Sequence, residues 1–194
     1  EEALNNCMDW LKDCHKLTEY EKSEIYCYVA MCHCNLNQPN EGMKFIDASL
    51  DLNPFNRMAI IQKGMLHLQL DENAQAESLY QKAIALSPSD EEAETHYAIV
   101  NTYFCLGRSL DVIRWCEKII KEYPTEQKEA LLYIANCYYE VNDITVCLKT
   151  IAVYWRINNE NIDDEIINDK RFNAMFTNIT DTLNDMNFNL NDYL

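Results

Sequence analysis

Only three glycines and four prolines occur among the 194 residues. So little glycine leaves no G-x-G-x-x-G and no G-x-x-x-x-G-K-[ST], and hence no loop able to cradle a phosphate. Basic residues are scarce as well. Sixteen Lys and Arg stand against 32 Asp and Glu, for a formal net charge of −16. A nucleic-acid binder needs a basic footprint, and an anionic membrane surface repels such a chain. No apolar run reaches the roughly 18 residues of a membrane span, and no signal peptide is visible. The chain opens on Glu1-Glu2 without Met, which leaves an upstream segment open as an expectation. G-x-S-x-G, H-E-x-x-H and C-x-x-C are all missing, so an enzyme, a cofactor or a metal site has little to stand on.

Cysteine, by contrast, is plentiful, with nine residues. Cys32-His33-Cys34 has the look of a metal motif, but three consecutive residues of a helix point about 100° apart and cannot converge on one ion. Unpaired cysteines pack as small hydrophobes, and so many of them imply a reducing compartment, hence a cytoplasmic location. The late acidic residues, Asp163, Asp164, Glu165 and Asp169 among them, read first as a solvated face and second as a surface for a basic partner.

The dominant positive feature is a period. Pro54, Pro88 and Pro124 fall 34 and 36 residues apart, each closing a stretch that reads as two amphipathic helices. One copy runs Tyr26, Val29-Ala30, His33, Gly42, Ile46, Pro54. The next runs Ile60, Lys63-Gly64, His67, Ala76, Tyr80, Ala83, Pro88. The third runs His96, Ile99-Val100, Tyr103, Val112, Cys116, Ile119, Pro124. A fourth, without its proline, runs Leu131, Ile134-Ala135, Tyr138, Cys147, Ile151, Tyr154. Small residues recur where two helices must cross closely: Ala30, Gly64 and Ala135 on the first helix, Gly42, Ala76 and Cys147 on the return helix. Gly107 falls where a pair must turn, and glycine permits left-handed backbone there. His33, His67 and His96 occupy repeated aromatic slots, so packing explains them better than catalysis. Thr18-Glu19-Tyr20-Glu21 and Ser89-Asp90-Glu91-Glu92 read as capping boxes.

These residues match the spacing W-x2-L-G-x2-Y…A-x3-F…P, and between about residues 23 and 159 the chain resembles the tetratricopeptide repeat (TPR) family. No copy has the tryptophan, and Lys63 stands in the leucine slot. The resemblance implies an all-α fold, a right-handed α-solenoid of antiparallel helix pairs. It divides one domain, 1–194, into an N-terminal helix (1–22), four repeats (23–56, 57–92, 93–127 and 128–160) and a C-terminal cap and tail (161–194). In the N-terminal segment Leu4, Cys7, Met8, Leu11 and Cys14 form an apolar stripe. At the other end Asn168-Asp169-Lys170-Arg171-Phe172 reads as the step into a capping helix ending near Asn184, with a frayed tail from Asn187 to Leu194.

In this family the first helix of each pair lines the concave face on which ligands lie. Carried onto this chain, the resemblance implies a peptide-binding face of Met31, Ile61, Met65, Tyr97, Asn101, Phe104, Leu132, Asn136 and Tyr139, with Cys27 at its start. Asn side chains suit a peptide backbone, while Met and aromatic residues grip its side chains. Some family members hold the acidic tails of chaperones with a clamp of lysines, an arginine and asparagines. Here the matching slots are Cys27, Met31, Gln62, Glu94 and Ala98, so that clamp is lacking. The expected function is a scaffold or adaptor for an apolar or mixed peptide of a partner protein, with neither nucleic acid nor membrane as ligand. The alternative is a subunit or homodimer that uses the same apolar face for assembly. The competing expectation is that these face residues partly pack against neighbouring helices, or that the terminal cap helix folds into the groove.

Overall fold

A computed structural model describes residues 2–12, 14–159 and 161–183. Among them lie eleven α-helices and no strand: α1 (Glu2–Lys12), α2 (Glu19–Asn35), α3 (Pro39–Leu52), α4 (Arg57–Gln69), α5 (Asn73–Ala85), α6 (Glu92–Cys105), α7 (Ser109–Glu122), α8 (Gln127–Glu140), α9 (Ile144–Ile157), α10 (Asp164–Ile167) and α11 (Asn173–Leu183). The fold class is all-α, as the sequence predicts. The chain forms two compact units, one running to Thr102 and one from Tyr103, and the division falls inside α6. The frayed tail expected from Asn187 lies outside the described residues.

In the first unit α2 packs on both α3 and α4, and α4 packs on α5. One helix pair thus stacks on the next. The close crossings are made by residues without bulk. Gly42 of α3 lies against α2 and α4, and a Cβ added there would stand 3.3 Å from the Ala30 carbonyl oxygen and 2.8 Å from Leu66 Cδ2. Gly64 of α4 lies under the ring of Tyr80 of α5, where an added Cβ would come within 2.9 Å of Cζ. Tyr80 is fully buried, and its hydroxyl shares a 2.8 Å hydrogen bond with the Thr102 hydroxyl of α6. Ser49, which departs from the small apolar residue the repeat favours, is matched by Ser23. Each hydroxyl donates to the other's carbonyl oxygen, at 2.7 and 3.0 Å. Asn56 joins them, donating to Ser23 Oγ at 3.2 Å while its Oδ1 accepts the Ala59 N–H and starts α4.

The turns share one construction. Asn37, Asp71, Gly107 and Asn142 all have left-handed backbone, with φ of 56°, 61°, 66° and 60°. In each turn the N–H two residues before the return helix's first turn closes donates back across six residues. Gln38 reaches the His33 carbonyl, Glu72 reaches His67, Arg108 reaches Tyr103 and Asp143 reaches Tyr138, at 2.9–3.0 Å. This is the hydrogen bond of a Schellman motif. The aromatic slot of the repeat therefore supplies the carbonyl that ends its own helix. His33 and His67 add a side-chain bond to the same partners, to Gln38 Oε1 at 2.8 Å and Glu72 Oε2 at 2.5 Å.

Thr18 and Glu21 form the expected capping box. At Ser89 the expectation fails. Helix α6 begins at Glu92, and the Glu91 carbonyl accepts the first intrahelical bond from Thr95 at 3.1 Å. Glu91 also pairs with Arg57, which draws the start of the helix past Ser89.

In the second unit α8 packs between α7 and α9. Beyond α9 the chain turns through Asn158, whose Nδ2 donates to the Asn161 carbonyl and to Asp163, both at 3.1 Å. Phe172, Met175, Phe176 and Ile179 are buried. Arg171 latches the segment that carries them. Its guanidinium donates to Asp169 from both Nη2 (2.6 Å) and Nε (3.1 Å), to the Tyr133 hydroxyl at 2.8 Å and to Glu129. The same guanidinium stands 5.5 and 5.0 Å from the ring centres of Tyr133 and Phe172.

Replacing Gly64 by Ala tests the crossing. Helix propensity alone favours Ala by about 1 kcal/mol, whereas overpacking costs about 1–3 kcal/mol. With Tyr80 pinned by Thr102, the packing term dominates, and urea unfolding should show a net loss of stability. Gly107→Ala meets no neighbour and should lose only the left-handed backbone term, about 1 kcal/mol. A Gly64→Ala variant more stable than wild type would refute the close crossing.

Candidate peptide-binding face

The nine face residues lie on the first helices of their pairs: Met31 on α2, Ile61 and Met65 on α4, Tyr97, Asn101 and Phe104 on α6, and Leu132, Asn136 and Tyr139 on α8. A common stripe does not give them common exposure. In the first unit Ile61 and Met65 are buried, Met31 and Tyr97 half-buried, and Asn101 exposed. Cys27, at the head of the stripe, is buried as well.

In the second unit the cap takes part of the face. Tyr139 accepts a 2.5 Å hydrogen bond from Asn178 Nδ2 of α11. Phe104 stands edge-on to Tyr133 at 5.1 Å, and Phe172 of the cap stands edge-on to the same ring at 5.2 Å. Leu132 is buried in the cleft that Phe172 and Arg171 also line. What stays open is a cleft of about 480 Å³ at the α6–α7 turn and the C-terminal half of α8. It joins Phe104 and Asn136 to Cys105, Arg108, Ser109, Val112, Cys137, Glu140 and Val141. Its volume lies in the roughly 300–1,000 Å³ range of ligand sites. Asn136 is only 4% exposed and lines this cleft. A carboxamide offers a bound group both a donor and an acceptor. The stripe identified Phe104 and Asn136. It missed Arg108, Val112, Glu140 and Val141, which join the cleft through a turn and a helix end.

The electrostatics of the thiols speak to reactivity. Burial pushes Cys27 up to about 12, Cys137 to about 11 and Cys147 to about 12, and it raises Cys116 too. Held neutral, these sulfurs are weaker nucleophiles at pH 7 than a free thiol. Cys32, His33 and Cys34 diverge on α2: Cys34 is buried, and His33 stacks on Phe45 at 5.3 Å. Among the described residues no three His, Cys, Asp or Glu side chains are placed to share a metal ion. No described helix is long and apolar enough to cross a membrane.

A family model for the tetratricopeptide repeat matches residues 59–90, the span of α4 and α5 and the turn that follows. No curated protein matches the chain. Among solved structures, the chain is similar to the crystal structure of YrrB, described as a TPR protein with an unusual peptide-binding site. The identity is 13%, over 84% of this chain and 87% of that one, with a TM-score of 0.41.

The raised thiols give a pH dependence. In the unfolded chain they ionise near 9.0, while the fold keeps them protonated. The unfolded state therefore sheds protons first as pH rises. The stability tied to these groups is complete below pH 9 and is lost between pH 9 and about 12. Urea midpoints measured under reducing conditions should be level up to pH 9 and fall above it. Midpoints that stay level to pH 11 would show that the thiols are not buried.

Proposed function

We propose that this chain, whose residues 59–90 match a family model for the tetratricopeptide repeat, is a protein-interaction scaffold that holds an extended peptide segment of a partner. The observation that carries the reading is the open cleft of about 480 Å³ that Phe104 and Asn136 line. A carboxamide offers one acceptor and two donor hydrogens, the complement of a peptide unit's N–H and C=O. Phe104, Val112 and Val141 supply apolar wall for the peptide's side chains, and Arg108 and Glu140 give the rim both signs of charge. The peptide is thus apolar or mixed rather than strongly acidic or basic at this point. In the first unit Tyr97 and Asn101 are the face residues most accessible to a partner, together with Met31. Ile61 and Met65 support them from within.

The thiols of Cys105 and Cys137 belong to the walls, and partial desolvation raises both. The reading is a holding function with no reaction attached.

Selection from a random peptide library tests it. Peptides enriched on the wild-type chain should bind the Asn136→Leu variant at least about tenfold more weakly, equivalent to 1.4 kcal/mol. The variant's melting should stay near wild type, since the two side chains have similar volume. Peptides that bind both proteins equally would remove the cleft from the site.

A further inference from the structure

A second surface lies along α1 and shares no residue with the cleft just described. Two clefts, of about 530 and 610 Å³, meet along α1 and share Asp9 and Trp10. Trp10 forms the wall between them and is 58% exposed, while Tyr20 on one side and Tyr28 on the other are 65% and 50% exposed. Leu17 and Ile25 floor the Trp10–Tyr20 cleft. Three large aromatic rings are thus left in water by a fold that buries Tyr80, Tyr133, Phe172 and Phe176 completely. A contiguous exposed aromatic patch of this kind marks a contact surface.

Charge decides what the surface fits. Three carboxylates, Asp9, Glu21 and Glu24, line the Trp10–Tyr20 cleft against one ammonium, Lys16. Each carboxylate uses one oxygen inside the molecule. Asp9 Oδ1 accepts from Lys12 at 2.6 Å, Glu21 Oε2 from Thr18 at 2.8 Å, and Glu24 Oε1 from Asn56 at 2.7 Å. The second oxygen of each has no donor among the described residues. A row of half-used carboxylates beside aromatic rings suits Lys and Arg, whose stems lie on the rings while their heads reach the oxygens. A second copy of this chain would bring the same acidic rim and another −16 of charge, a like-charge juxtaposition that disfavours self-pairing.

We propose that the Trp10 surface binds a cationic, apolar-anchored segment of another protein: Lys or Arg on the carboxylates, and Leu-like side chains against Trp10 and Tyr20. Because this surface is independent of Asn136, either reading can fail without the other.

Calorimetric titration of the full chain with an amphipathic Leu/Lys peptide is the test, with the matching Leu/Glu peptide as control. The Leu/Lys peptide should bind, more weakly as salt is added, and the Leu/Glu peptide should not. Trp10→Lys should weaken binding at least about tenfold. The change is at an exposed site and should leave melting near wild type. The double variant Asp9→Asn/Glu24→Gln, which keeps the Asn56 contact through its amide oxygen, should lose most of the salt dependence. Equal binding by wild type and the folded Trp10→Lys protein would overturn the proposal, as would equal binding of the two peptides. A stable dimer in sedimentation that Trp10→Lys dissolves would assign the face to a second copy instead.

Discussion

The close approach of α4 and α5 at Gly64 is the constraint on which the first unit rests. The Tyr80 ring lies where a Cβ would be, and from that position its hydroxyl reaches Thr102 on α6. One missing methyl group on α4 therefore sets how α5 sits and where α6 is met. The crossing of α3 with α2 and α4 at Gly42 repeats the device one pair earlier. Interiors pack at crystal-like density, so a wider crossing at either place would loosen the contacts that Leu66 and Tyr80 make there. A helix pair cannot bury its apolar faces alone, and stacking supplies the rest. Stacking in turn requires that each pair have a fixed thickness, which the small residues enforce.

Much of this was legible in the sequence, because small residues, aromatic slots and prolines recur at one period. The turns were legible only in part. Gly107 announced a left-handed residue, but Asn37, Asp71 and Asn142 do the same work at the same place in their repeats. Asn and Asp tolerate left-handed backbone, yet they are common in any polar turn. Without the period laid over them they carry no distinct signal. The Ser23–Ser49 exchange was hidden for a related reason. Ser49 alone looks like a poor fit, and only the 26-residue separation to Ser23, brought together by packing, turns it into a satisfied pair.

The candidate site shows the limit of stripe reasoning more sharply. Helical periodicity tells which residues share a face, not whether another element covers that face. Met65, Leu132 and Asn136 are all buried, as their positions on one stripe could not reveal. On α8 the cover is partly the chain's own cap, through Asn178 on Tyr139 and Phe172 on Tyr133. The cleft keeps Phe104 and Asn136 because it lies toward the α6–α7 turn and the end of α8, to one side of those contacts. Its remaining walls come from residues that no stripe joins.

The first and last described helices are held by different means. At the C-terminal end the cap is held by one guanidinium that satisfies Asp169, Glu129 and Tyr133 together while lying over two rings. Charge-assisted, forked bonds of this kind fix geometry as well as energy, and Asp169 accordingly titrates below its ordinary value. At the N-terminal end α1 packs on α2 and buries Cys7, but Leu4 and Leu11 are only half covered, and Met8 and Trp10 face outward. No ion-pair latch comparable to Arg171 joins α1 to α2 among the described residues. The Arg171 network fixes the cap on α8, whereas α1 leaves Trp10 58% and Tyr20 65% exposed.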